Sequence, residues 1–236
     1  MGILCEWLAG ELARRNRTKP VCVCYTSVRT HGPHLETPER GEPGQRWPAG
    51  FKSNLEYLDH LMGKLLDGLK AEGLDENTYV IFVGDNGTGG DGKGTVTELG
   101  ARVPGIVRGP GVKRGVVSRA VADLTDIMPT LAEISGAELP KDVPFDGHSL
   151  LPVLRGEKER HRDWAYSHLD DGRILRDSRW LLEIAKASKG DKGERFFDCG
   201  ESRDGSGYKD VTNSTEPEVV AARKRFAEIL ATMPEP

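Results

Sequence analysis

The chain reads as an α/β protein that closes with a small α+β subdomain of antiparallel strands. Three stretches carry that reading. Residues 79–83, Tyr-Val-Ile-Phe-Val, form an apolar run ended by Gly84 and then Asp85-Asn86. Such a run, β-branched and aromatic, is the pattern of a buried strand in an α/β sheet. Residues 51–73 place Leu55, Leu58, Met62, Leu65 and Leu69 along one helical face. From residue 164 to 197 the pattern changes to short alternating runs, broken by Asp170-Asp171-Gly172, which reads as a hairpin turn. The expected division is a partial α/β domain over residues 1–156 and the α+β subdomain over residues 157–236.

In chain order, Ile3, Leu4, Trp7, Leu8 and Leu12 stand near helical spacing, so residues 3–15 predict a helix. Residues 21–25 follow Pro20 as a strand, and Cys22 and Cys24 would share one of its faces as buried, inert thiols. Residues 27–50 form an irregular stretch rich in Gly, Pro, Arg and His, long enough to be functional or disordered. It carries His31-Gly32-Pro33-His34 just past a strand end. The helix over 51–73 has a candidate capping box at Ser53 and Glu56, and Gly73 suits its C-terminal end. Strand, helix and strand over residues 21–83 predict a parallel βαβ unit. Residues 103–107 offer a short strand, with Pro104 at its start. Residues 123–135 read as a helix with Pro129 near its first turn and Gly136 at its end. Residues 147–154 predict a short helix, and residues 216–233 a final one.

Composition excludes several function classes. The chain has 236 residues, 37% hydrophobic and 30% charged, with a formal charge of −4. It is long enough for a sizeable core, and no basic footprint for nucleic acid is present. No apolar run approaches the about 18 residues a membrane helix needs. The opening Met-Gly-Ile-Leu-Cys-Glu-Trp-Leu lacks a basic leader and does not read as a secretory signal, which leaves localisation open. Cys5, Cys22, Cys24 and Cys199 lack the spacing of a zinc site.

Chemistry concentrates after residue 83. Ligands of α/β sheets bind beyond the carboxyl ends of the strands. Asp85 and Asn86 would stand there, and a hard cation such as Ca²⁺ favours carboxylate and amide oxygens. Lys93, framed by Gly92 and Gly94, could meet an anion. Two other motifs fail. Gly87-Thr-Gly89-Gly-Asp-Gly92 matches a dinucleotide fingerprint by spacing, and residues 87–93 match the start of a P-loop. The P-loop then needs Ser or Thr where Gly94 stands, and Gly100 and Pro104 interrupt any helix that either motif requires. An ordinary Asp-Asn-Gly turn is the plain reading of residues 85–87 taken alone.

Residues 80–111 contain, in order, a strand, Asp-Asn-Gly, Gly-Lys-Gly-Thr, Glu-Leu-Gly, Arg-Val-Pro and a Pro-Gly turn. This resembles the sulfatase family. Lys19-Pro20 before an apolar strand and Pro33-His34, Tyr57-Leu58-Asp59, Asp126-Ile-Met-Pro-Thr-Leu, and the stretch from Phe145-Asp-Gly-His to Leu154-Arg-Gly are similar to further family segments. The resemblance implies an alkaline-phosphatase/sulfatase-like sheet flanked by helices, incomplete here. It implies sulfuric ester hydrolysis with Ca²⁺, on a sulfated small molecule or sulfated glycan. Asp85 and Asn86 would be metal ligands. Lys93 and His34 would be catalytic, Lys93 on the sulfate and His34 holding an oxygen and moving protons. His31 stays open as the functional histidine instead, because Leu35-Glu36-Thr37 separates His34 from the next proline. Glu98 and Arg102 would brace the loop.

Family sulfatases also carry a Cys- or Ser-x-Pro-x-Arg motif, whose first residue becomes the formylglycine nucleophile, and an aspartate pair that completes the Ca²⁺ site. Neither stands in this sequence. The chain resembles the second half of a sulfatase. The expectation is a catalytically silent chain with a weak Ca²⁺ site and sheet edges open to self-association. The alternative is a non-catalytic relic that binds an anion or Ca²⁺. A phosphoryl-transfer cousin would need a second Asp and His metal cluster, which the sequence does not offer.

Overall fold

The computed structural model describes residues 10–11, 20–38, 44, 46–90, 92–185, 193–202 and 205–233. These divide into two compact units, Met1–Tyr79 and Val80–Pro236. The helix expected over residues 3–15 lies outside the described residues apart from 10–11.

In the first unit, a two-residue ladder of β1 (Thr37–Pro38) and β2 (Arg46–Trp47) leads into helix α1 (Phe51–Ala71). Leu58 and Leu61 are its buried apolar residues, whereas Leu55 is exposed, so the buried face is turned from the one expected. The capping box does not form. Gly50 is the N-cap, and Ser53 Oγ donates to the carbonyls of Pro48 (2.6 Å) and Gly50 (3.0 Å). Gly73 follows the helix at φ 65°, the left-handed conformation that glycine adopts freely.

Residues 21–25 correct the sequence reading. They pair with no strand, and Val21, Val23 and Tyr25 are 58%, 41% and 45% exposed. An apolar alternation becomes a strand only where a second strand takes up its backbone groups. None of the described residues does so here, and with no strand over 21–25 the parallel βαβ unit is absent as well. Cys22 and Cys24, expected to be buried, are exposed for the same reason, while Cys199 is buried.

The second unit opens with β3 (Val80–Val83), paired antiparallel with β4 (Gly105–Arg108). Between them lies the one-turn helix α2 (Glu98–Ala101). A 3₁₀ turn over Leu124–Asp126 runs into α3 (Ile127–Ser135), which ends at Gly136 with φ 70°. Helix α4 (Leu151–Leu154) is shorter than expected.

The antiparallel sheet then builds in chain order from β5 (Trp164–Leu169), β6 (Gly172–Asp177), β7 (Trp180–Ile184), β8 (Glu194–Asp198) and β9 (Lys209–Asp210). Leu169 pairs with Gly172, so Asp170-Asp171 is the two-residue hairpin turn, with Asp170 at φ 52°. Helix α5 (Pro217–Leu230) follows. Alternation along the strands separates two faces. Leu175, Trp180, Leu182 and Phe196 pack against Val219, Ala222 and Phe226 of α5. Ile174 and Leu181 turn the other way and pack with Cys199, Phe197 and Tyr208. The chain is thus mixed α/β with a five-stranded antiparallel sheet.

Candidate functional site

The loop that carries Asp85, Asn86 and Lys93 is fixed by glycine contacts. As β3 ends, Gly84 N donates to Pro104 O at 3.1 Å. Gly87 N then donates to Gly100 O at 2.9 Å. A Cβ on Gly87 would stand 1.7 Å from Leu99 O, and one on Gly92 2.1 Å from the same oxygen. Only glycine lets the loop lie this close on α2. The N–H groups of Gly92 and Lys93 both donate to Thr88 O at 2.9 Å, and Thr95 Oγ1 donates to Gly92 O at 2.7 Å. Asp85, Asn86 and Lys93 are all exposed on this framework. Asn86 Nδ2 donates to Gly87 O at 2.9 Å.

Helix α2 is in turn held by the sheet. Glu98 Oε2 accepts from the Tyr208 hydroxyl at 2.6 Å, and Oε1 from Arg176 Nε at 3.2 Å. The backbone N–H of Glu98 donates to Glu183 Oε1 at 3.0 Å. Glu183 is buried, and its other oxygen accepts from Arg195 Nη2 at 2.6 Å. Burial raises the Glu183 carboxyl above its ordinary range, against the lowering pull of the Glu98 N–H and Arg195. Burial, and then the bond to Glu98, push the Tyr208 hydroxyl up. Glu98, expected to brace the loop, thus bonds to three residues 78 to 110 positions away along the chain.

Burial also raises the Cys199 thiol to about 11. A thiol held above its unfolded value of about 8.5 contributes stability that is complete below pH 8.5. That contribution is lost as pH rises toward 11. Thermal melts from pH 7 to 11 should show the wild-type Tm falling over this window, with a shallower slope in Cys199→Ala. In peptide mapping with a thiol reagent at pH 8, Cys22 and Cys24 should be labelled well before Cys199.

His34 belongs to the first unit. Phe51 meets its ring edge-on at 5.8 Å, and its Nδ1 is buried without a hydrogen-bond partner among the described residues. Asn54, 1% exposed, ties the histidine stretch to α1. Its Nδ2 donates to Leu35 O (2.9 Å) and Gly50 O (2.8 Å), and its Oδ1 accepts from Arg29 Nη1 (2.9 Å). Sequence reading passed over Asn54. Its signal was an amide four residues before Leu58 on the buried side of the helix. His31 is exposed, with its Nδ1 2.6 Å from Gly32 O.

One loop therefore carries Asp85, Asn86 and Lys93, and the other unit carries His34. Residues 7–137 match the Sulfatase family model. The chain belongs to the sulfatase family. Mouse steryl-sulfatase is 34% identical over 181 residues, which are 67% of this chain and 29% of that protein. Human arylsulfatase A is 36% identical over 175 residues, 64% of this chain and 34% of that protein. This sulfatase chain thus spans about a third of the length of these curated relatives. A phosphonate monoester hydrolase from Silicibacter pomeroyi superposes with a TM-score of 0.61 at 28% identity, covering 77% of this chain and 39% of that one.

A Ca²⁺ shell takes about 6–8 oxygens. Asp85 and Asn86 bring two side chains, and no group of three or more His, Cys, Asp or Glu able to hold a metal gathers among the described residues of this sulfatase chain. Two side chains fall short of such a shell, and the described residues do not by themselves fit the ion. Among the described residues no helix is long and apolar enough to cross a membrane.

Proposed function

We propose that this chain carries the anion-facing part of a sulfuric ester hydrolase and is catalytically silent by itself. The observation that supports this best is the exposed Asp85, Asn86 and Lys93 on one glycine-fixed loop, inside the segment that matches the family. Lys93 would place its ammonium against the sulfate oxygens, where negative charge develops as the ester bond breaks. His34 would hold an ester oxygen and carry a proton, as imidazole does near neutral pH. Its unpartnered Nδ1 favours it over His31, whose Nδ1 faces the Gly32 carbonyl. Asp85 and Asn86 would contribute oxygens to a divalent cation whose remaining ligands the described residues do not supply.

Silence follows from the missing nucleophile. The sequence has no Cys- or Ser-x-Pro-x-Arg segment, and an electrostatic clamp without an attacking group breaks no ester bond. An aryl sulfate assay with added Ca²⁺ should show no turnover above background. Inorganic sulfate should still shift the backbone amides around Lys93, and Lys93→Ala should weaken that response about tenfold, the loss of one charge-assisted contact. Measurable turnover would overturn the silence. An unchanged sulfate response in Lys93→Ala would remove Lys93 from the site.

A further inference from the structure

The Asp85–Lys93 loop has no slack against α2, and α2 has none against the sheet. On one side, Gly87 and Gly92 leave no room for a Cβ beneath Leu99 O. Gly100 is equally tight, since a Cβ there would stand 2.4 Å from Thr95 O and 2.5 Å from Gly92 O. On the other side, Glu98 alone carries the described side-chain bonds from α2 to the sheet. It reaches β6 through Arg176 and the residue preceding β9 through Tyr208, and its own N–H binds Glu183 of β7. Arg195 of β8 secures Glu183. Three separate segments of the sheet region therefore converge on one residue at the start of α2, and a fourth reaches it through Glu183. Movement of Glu98 carries Leu99 and Gly100 with it, and these are the backbone groups on which the loop rests.

We propose that Glu98 is a positioning residue, and that the five-stranded sheet uses it to set where the Asp85–Lys93 loop stands. Glu98 does not touch the anion; it acts through α2. The proposal rests on reading Lys93 as the sulfate contact. It gives the C-terminal sheet a functional task, because its register would be felt at Lys93 through a carboxylate rather than through a shared pocket wall.

The test uses the full chain, ¹⁵N-labelled, as wild type, Glu98→Ala, Glu98→Gln and Val219→Ala. Val219 is 2% exposed and packs with Phe226 on the opposite face of the sheet, away from α2. The Val219 variant therefore lowers stability without touching Glu98. Sodium sulfate is titrated against chloride of equal ionic strength, and amide exchange is followed at Gly87 and Gly92. Glu98→Ala should speed exchange at both glycines about tenfold and weaken the sulfate response about fivefold. Glu98→Gln keeps an acceptor for Tyr208 and should recover part of both. Val219→Ala should leave the sulfate response at its wild-type value although its Tm falls, and should speed exchange at Gly87 and Gly92 only as much as at the Trp180 amide, the share that comes from unfolding of the whole sheet. Wild-type exchange and sulfate response in Glu98→Ala would overturn the proposal, and so would an equal loss of sulfate response in Val219→Ala. A wild-type chain with no sulfate response at Lys93 would overturn the functional reading, and the exchange rates at Gly87 and Gly92 would still decide the role of Glu98.

Discussion

Asp126→Ala should cost about 3–5 kcal/mol, the range for removing one partner from a buried ion pair. Asp126 is 0% exposed. Its Oδ1 accepts from Arg162 Nη2 at 2.6 Å and from the His148 N–H at 2.9 Å. Its Oδ2 accepts from the Asp123 N–H at 2.7 Å and stands 3.0 Å from His161 Nε2, off that nitrogen's hydrogen-bonding direction. Alanine would leave the Arg162 guanidinium, only 13% exposed, with Asp146 O at 3.2 Å as its one remaining acceptor among the described residues. It would also orphan two backbone donors. The site cannot close over the gap, because Gly147 already lies against Thr125, where a Cβ would be 2.0 Å from its carbonyl oxygen. Asp126→Asn keeps the shape and one acceptor but loses the charge facing Arg162, so it should fall between wild type and alanine. Urea unfolding followed by circular dichroism measures both. A loss below about 1 kcal/mol for alanine would mean that the network adds little beyond its desolvation cost.

That network shows where sequence reading ended. Asp126-Ile-Met-Pro-Thr-Leu and the Phe145-Asp-Gly-His stretch were both legible as family segments, each from its own residues. Their meeting at one carboxylate was not, because nothing in either stretch encodes a partner 22 or 36 residues away. The same boundary runs through the candidate site. The strand ending in Asp85-Asn86, the glycine frame of Lys93, the Asp170-Asp171 hairpin and the final helix are local patterns, and each was read locally. Glu98 was expected to brace the loop, but Arg176, Glu183 and Tyr208 could not be named, since they reach it across 78 to 110 residues. Residues 21–25 failed in the opposite direction. Their alternation is that of a strand, yet alternation gives only the two faces. Strand formation needs a neighbour to take the backbone hydrogen bonds, and none of the described residues provides it.

Phe226→Ala should cost about 3–5 kcal/mol, the range for truncating a buried aromatic ring. Phe226 is 0% exposed and meets Phe196 edge-on at 5.3 Å; Phe196 in turn stacks on Trp180 at 5.5 Å. The three rings join α5 to β7 and β8, so the cavity left by alanine would open at the centre of the largest apolar cluster. A domain is stable by only about 5–15 kcal/mol, and such a loss removes a large share of it. The consequence would reach the loop. The other face of the same sheet presents Tyr208, and β6 and β7 carry Arg176 and Glu183, the groups that hold Glu98. Melting the sheet removes every described side-chain anchor of α2, so exchange protection at Gly87 and Gly92 should be lost in the same transition as Trp180 fluorescence. In Phe226→Ala both should shift together to lower urea. If the glycines kept their wild-type midpoint while Trp180 moved, the loop would be stable without the sheet, and the mechanical link through Glu98 would carry no energy.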